Sequence, residues 1–128
     1  MREIRVRTER RQQFVEITDQ VREAVRGEHC RAVLVYCPHT TAGIVINEHA
    51  DPDVAHDIIT ALEQMVPDRE IYRHVEGNSP AHVKAALVGT CQIVPVENGE
   101  PALGTWQGIF LAEFDGPRQR LVLVTPLG

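Results

Sequence analysis

No apolar run in the chain approaches the roughly 20 residues that a bilayer-crossing helix needs, and the first stretch, "MREIRVRTER", is charged instead of apolar. Both absences predict a soluble, cytoplasmic protein with no membrane partner. An excess of basic charge is also missing. Thirteen Lys and Arg stand against 18 Asp and Glu, for a net charge of -5, which excludes a general binder of nucleic acid, because such proteins neutralise many phosphates with Lys and Arg. A local basic site remains compatible with that balance. The three cysteines, Cys30, Cys37 and Cys91, form no Cys-x-x-Cys pair; an odd number at wide spacings reads as reduced thiols and argues against structural zinc on sulfur. Internal repeats, linkers and low-complexity segments are absent too.

What remains is 128 residues with 43% hydrophobic content, enough for one domain over 1–128 with a core that needs no disulfides. In "EIRVRT" and "QQFVEIT" the alternation of apolar and polar residues predicts two strands, read here as an opening hairpin. Thr18 is placed to cap a short helix with Val21 and Val25 on one face and Gly27 at its end. "CRAVLVYC" and "AGIVINE" read as two central strands. Asp51 as cap, Pro52 in the first turn, and Val54, Ile58, Leu62 and Met65 at helical spacing predict a second helix that closes before Pro67. A third runs from Asn78 or Ser79 to the stop at Gly89. "CQIVPV" reads as a strand near a sheet edge, because Pro95 cannot donate to a ladder. "TWQGIFLAEF" and "RQRLVLVT", around the Asp115-Gly116-Pro117 turn, read as a terminal hairpin. Strands grouped in hairpins with helices between them favour an α+β fold with mainly antiparallel sheets.

Several polar groupings could carry chemistry. His39 sits in the break between two buried-looking strands, with Thr40 and Thr41 offering hydroxyls beside it; taken singly, it reads as an ordinary loop histidine. Glu48 closes the second of those strands. Asp57 lies at the margin of the second helix's apolar face, Glu63 on its far side, and His49 and His56 read as surface residues. His82 falls in the first turn of the third helix, where the dipole disfavours an imidazolium, so a neutral ring is expected. A turn at Gly77 can fold His74 and Glu76 back towards it. His-x-Glu-x-Asn-x3-His matches no stringent metal signature; it fits a nitrogen and oxygen metal cage, an acid-base cluster around phosphate at a helix N-terminus, or a capping network. Trp106 reads first as core. Arg118 and Arg120 alternate onto one strand face, as solvated edge charge or as a double anion clamp. Cys37 ends a buried strand with no activating third group and makes a poor nucleophile.

As a set, "PHTTAGIVINEHADPDVAHD", "HVEGNSPAHVKAALVG" and "LGTWQGIFLAEFDGPRQR" resemble the YjbQ family, also called UPF0047, of secondary thiamine-phosphate synthase enzymes. The resemblance spans most of the chain. It implies an α+β homotrimer with active sites near subunit boundaries and a weak thiamine-phosphate synthase activity, joining a pyrimidine diphosphate to a thiazole phosphate with loss of pyrophosphate. The family's polar set carries over to His39, Thr40, Thr41, Asn47, Glu48, Asp57, His74, Glu76, Gly77, Asn78, His82, Gly104, Thr105, Trp106, Gln107, Arg118 and Arg120. The expected catalytic groups are His39, Glu48, Asp57, His74 and His82. Thr40, Thr41, Asn47, Asn78, Trp106, Gln107, Arg118 and Arg120 are expected to bind a phosphorylated small molecule. The three histidines are expected to hold a divalent metal, zinc or magnesium. The competing expectation is a non-catalytic trimeric module that binds a metal or an anion.

Overall fold

The computed structural model describes all 128 residues. In chain order the elements are β1 (Arg2–Arg7), β2 (Gln13–Glu16), α1 (Thr18–Val25), β3 (Ala32–Tyr36), β4 (Ala42–Glu48), α2 (Pro52–Met65), α3 (Ser79–Val88), β5 (Cys91–Glu97), β6 (Glu100–Pro101), β7 (Gln107–Glu113) and β8 (Gln119–Leu127). They build a five-stranded sheet ordered β1-β8-β3-β5-β6 and a three-stranded sheet ordered β2-β7-β4. Every strand pairing is antiparallel, so the α+β expectation holds. No helix is long and apolar enough to cross a membrane.

Alternation along each strand decides where the core sits, because successive side chains face opposite sides of a sheet. Ile4 and Val6, Val33 and Val35, Val94, and Val122 and Val124 turn inward from the large sheet to meet Ala42, Ile44, Ile109 and Leu111 of the small one and Val21, Ala24 and Val25 of α1. Burying one such branched side chain stabilises by about 1.5–3 kcal/mol, against roughly 0–1 for an exposed ion pair; the interior between the sheets therefore sets the fold. The far face of the small sheet is covered in turn, with Ala112 and Phe114 packed on Ala81 and Ala85 of α3 and on Leu62 of α2. Covered on both faces, β7 is buried from Gly108 to Glu113, which explains its unbroken apolar run.

The helix boundaries follow their punctuation. Asp51 caps α2 by accepting a hydrogen bond from the Asp53 N–H at 2.9 Å, and Pro stands in the first turn of both α2 and α3. Thr18 is not a cap. It is the first residue of α1, buried, with Oγ1 donating to Glu16 at 2.8 Å and accepting from the Ile109 N–H at 2.9 Å, so it ties helix to sheet. Both expected hairpins are also corrected: β1 pairs with β8, β2 with β7, and β7 and β8 lie in different sheets. Of the two expected central strands, β3 is central and β4 is an edge. Nor does Glu63 point away. It accepts from the buried Lys84 ammonium at 2.8 Å, and that hydrogen bond, opposed by burial and helped by Gln12, holds its carboxyl below the ordinary range.

Candidate functional site

A pocket of about 390 Å³, lined by polar and charged side chains apart from Pro38, opens at the end of the sandwich where the two sheets and the start of α3 meet. The β3–β4 connection supplies Pro38, His39, Thr40 and Thr41. The approach to α3 supplies His74, Glu76 and Asn78, and its first turn His82. The corner after β7 supplies Asp115, and the start of β8 supplies Arg118 and Arg120. Gly77, at φ +76°, provides the left-handed residue that lets His74 return to His82. Their rings sit edge to face with centroids 5.2 Å apart, and His74 Nε2 lies 3.8 Å from Glu76 Oε2.

Beneath the pocket is a buried ionic network. Glu113 is fully buried and Arg120 almost so. Arg120 donates to Glu113 through both Nε and Nη2, and through Nη2 also to Thr41 Oγ1 at 2.8 Å. Thr8 Oγ1 donates to Glu113 at 2.7 Å, and the Asp115 N–H donates to it at 3.1 Å. Burial alone would raise the Glu113 carboxyl, but the hydrogen bonds from Arg120, Thr8 and Asp115, with the Arg120 charge, hold it below the ordinary range. Arg120 is thus neither solvated edge charge nor a free anion clamp. Arg118 is half exposed and tied to Asp115 by a bond to the carbonyl at 2.7 Å and one to the carboxylate at 2.9 Å. Each guanidinium is therefore matched by a carboxylate before any ligand arrives.

His39 occupies a particular place. Its Nε2 accepts from the Leu121 backbone N–H at 2.9 Å, and burial first, then the charge of Arg120, push its pKa down, favouring a neutral ring. The Cys37 thiol behind it is buried and pushed up by that burial, which suits an inert core residue. All three cysteines are free.

The three histidines share this pocket, yet no three His, Cys, Asp or Glu side chains anywhere in the chain adopt metal-ligand geometry. His39 has a further obstacle. A neutral imidazole carries one proton; with Nε2 accepting from an amide, that proton sits on Nδ1, and neither nitrogen is free to ligate. The residues as placed do not fit the expected three-histidine metal centre. The same geometry leaves one buried side-chain atom without a partner, Asn78 Oδ1, while the amide's other end donates to Asp115 at 2.9 Å.

Five expected site residues lie elsewhere in the protomer. β4 and β7 run antiparallel with Ala42 opposite Glu113 and Glu48 opposite Gln107, so the two ends of the pair are about 20 Å apart at roughly 3.4 Å per residue. The pocket takes the Ala42 and Glu113 end. Asn47, Glu48, Trp106 and Gln107 belong to the other. There Asn47 Oδ1 accepts from the next N–H at 2.8 Å, and Gln107 Oε1 accepts from Gly104 N–H at 2.9 Å, closing the turn. Trp106 is 63% exposed, not core. Glu48 lines a second pocket of about 290 Å³ together with His49, whose Nδ1 lies 3.2 Å from Glu16. Asp57 projects from α2 into solvent, 3.3 Å from His56.

Two members of the site escaped the sequence reading, Glu113 and Asp115. The signal for Glu113 was partial: its carboxylate lies between the apolar "GIFLA" and Phe114, and where such a charge is buried it needs a partner.

Known proteins agree with this architecture. The model of the family described as "UPF0047 protein YjbQ-like" matches residues 2–128. The chain is similar to UPF0047 protein MJ1081 of Methanocaldococcus jannaschii, 47% identical over 96% of this chain and 91% of that one. It is similar too to UPF0047 protein YugU of Bacillus subtilis, 45% identical over 100% and 99%. Among solved structures, a YjbQ/UPF0047-family protein of Clostridium acetobutylicum superposes with TM-score 0.95 at 50% identity, covering 99% of this chain and 100% of that one. The protein TT1486 of Thermus thermophilus does so with TM-score 0.93 at 44% identity, covering 99% and 100%. A match over nearly every residue in sequence and in fold places the chain in the UPF0047, YjbQ-like, family.

Proposed function

We propose that the chain is an enzyme that binds a phosphorylated small molecule in the polar pocket between the sheets and α3. One observation carries this reading: three imidazoles, two arginines and the start of α3 line a single cavity whose other walls, Pro38 apart, are polar. The dipole of α3 favours negative charge at its first turn, and the His74 and His82 rings, edge to face, supply imidazole nitrogens for hydrogen bonding or acid-base work. The reaction carried over from the family resemblance is the joining of a pyrimidine diphosphate to a thiazole phosphate. Departure of pyrophosphate builds negative charge, which the helix dipole and imidazole N–H donors are placed to offset.

The proposal includes self-association as a homotrimer. The outer face of the large sheet carries Leu34, Tyr36, Ile93, Leu121 and Leu123, aligned by the β3, β5 and β8 registers, with Ile93 62% exposed. Such a face favours a partner over water, and Leu121 lies beside His39, so a neighbouring copy would border the pocket.

Incubating the protein with both thiamine precursors and Mg²⁺ tests the reading. Thiamine phosphate and pyrophosphate should appear in equal amounts, and His82→Ala should slow their formation by about 100-fold, the scale of a lost acid-base group. Phosphate binding without turnover would leave a non-catalytic anion-binding module; neither binding nor turnover would remove the reading altogether.

A further inference from the structure

We infer that His39 is a fixed hydrogen-bond donor, its Nδ1–H presented to a phosphoryl oxygen of the ligand, and that it serves neither as the site's base nor as a metal ligand. This rests on the phosphate reading above and gives it a specific contact.

The reason lies in how β3 ends. The last pair between β3 and β8 is Tyr36 with Leu123, while β8 runs on through Leu121 towards Gln119 alongside β1. At Cys37-Pro38 the chain leaves the sheet, and the Leu121 N–H, which a longer β3 would have engaged, is taken by the His39 ring at 2.9 Å. A backbone N–H donates and never accepts, so Nε2 must be bare. The swapped ring would set a C–H against that N–H and leave a buried donor unsatisfied. The single proton of the neutral ring is therefore on Nδ1. That atom makes no hydrogen bond within the chain and is not among the buried side-chain atoms left without a partner, so it keeps some exposure on a residue that lines the pocket. The downward push on the ring's pKa from burial and Arg120 acts in the same direction.

A donor of this kind matters here because the arginines are compensated. Arg118 is matched by Asp115 and Arg120 by Glu113, and Glu76 adds a further negative charge. These paired charges leave the pocket no surplus positive charge, so an anion depends on neutral donors and the helix dipole. Binding is thereby separated from acid-base work: His39 holds an oxygen, while the facing His74 and His82 rings make no backbone bond of this kind and are left for proton transfer.

The test is the two-bond ¹H–¹⁵N spectrum of imidazole-labelled protein. His39 should show a bare Nε2 and a protonated Nδ1, and keep that pattern to lower pH than a free imidazole does. Added inorganic phosphate should shift its Nδ1 resonance. His39→Ala should weaken phosphate binding by about tenfold or more, as expected for a lost hydrogen bond to a charged group, whereas His39→Asn, which keeps a donor on the same side, should weaken it by only a few-fold. An Nε2–H ring, or phosphate affinity unaltered in the alanine variant, would overturn the donor assignment. Absence of phosphate binding in the wild-type protein would instead overturn the phosphate reading of the pocket.

Discussion

At the scale of single residues, the pocket depends on a carboxylate that never touches its solvent. Glu113 holds the Arg120 guanidinium, Thr8 and the Asp115 backbone together, and through them it fixes two pocket walls. Removing one partner of a buried pair leaves the other charge uncompensated, so Glu113→Gln should destabilise the fold by about 3–5 kcal/mol in urea unfolding. The pH dependence has a definite sign. A carboxyl held below its unfolded value stabilises fully above the ordinary carboxylate range and loses that contribution as pH falls through its lowered pKa. Acid unfolding of the wild-type protein should therefore steepen in that window, and the glutamine variant should show a flatter profile there. Equal slopes would mean that Glu113 is not the group responsible. His39 acts in the same sense nearer neutrality: with its pKa pushed down, the stability tied to the neutral ring is complete above the unfolded histidine value and declines as pH drops below it.

At the scale of elements, the bounds of α2 and α3 were legible, whereas the cap of α1 and the strand pairings were not. Asp51, Pro52, Pro80 and Gly89 act within a few residues of themselves, so the bounds of α2 and α3 could be read locally. Alternation told which residues of β1 and β8 face inward but carries no address for a partner, and the shortest connection, a hairpin, was the wrong choice twice. The corner from β7 to β8 shows why the second hairpin fails. A Cβ built on Gly116 would collide with the Arg10 carbonyl and stand 2.7 Å from Thr8 Oγ1, because the chain there turns against the β1–β2 connection and does not double back along β7. Gly116→Ala should therefore cost roughly 1–3 kcal/mol, the usual penalty for overpacking, and should loosen the Asp115–Arg118 clamp next to it. Unchanged stability together with unchanged phosphate affinity would show that this corner yields more readily than backbone contact allows.

For the whole molecule, the residues of the site divide along the strand pair that sequence order had fused. His39, Thr40, Thr41, His74, Asn78, His82, Arg118 and Arg120 reach one pocket although they span most of the chain, because β4, α3, β7 and β8 all present an end there. Asn47, Glu48, Trp106 and Gln107 sit on the same strands and reach the opposite end; a motif records neighbours in sequence, and a strand of seven residues is long enough to part them. The apolar outer face of the large sheet offers a test of assembly that leaves both ends intact. Ile93 faces outward from β5 opposite Leu34, away from the core and outside the pocket lining, so Ile93→Glu should spare the protomer's fold. If copies of the chain meet on that face, a buried unpaired carboxylate at each contact should disperse them. Sedimentation velocity should then show a trimer for the wild-type protein and a monomer for the variant, with unchanged far-ultraviolet circular dichroism. A wild-type monomer would end the assembly proposal, and a variant that remained trimeric would move the contact to another surface. Turnover measured on the same samples decides whether a neighbouring copy beside Leu121 contributes to the pocket: activity lost with the trimer says that it does, and activity retained in the monomer says that one chain suffices.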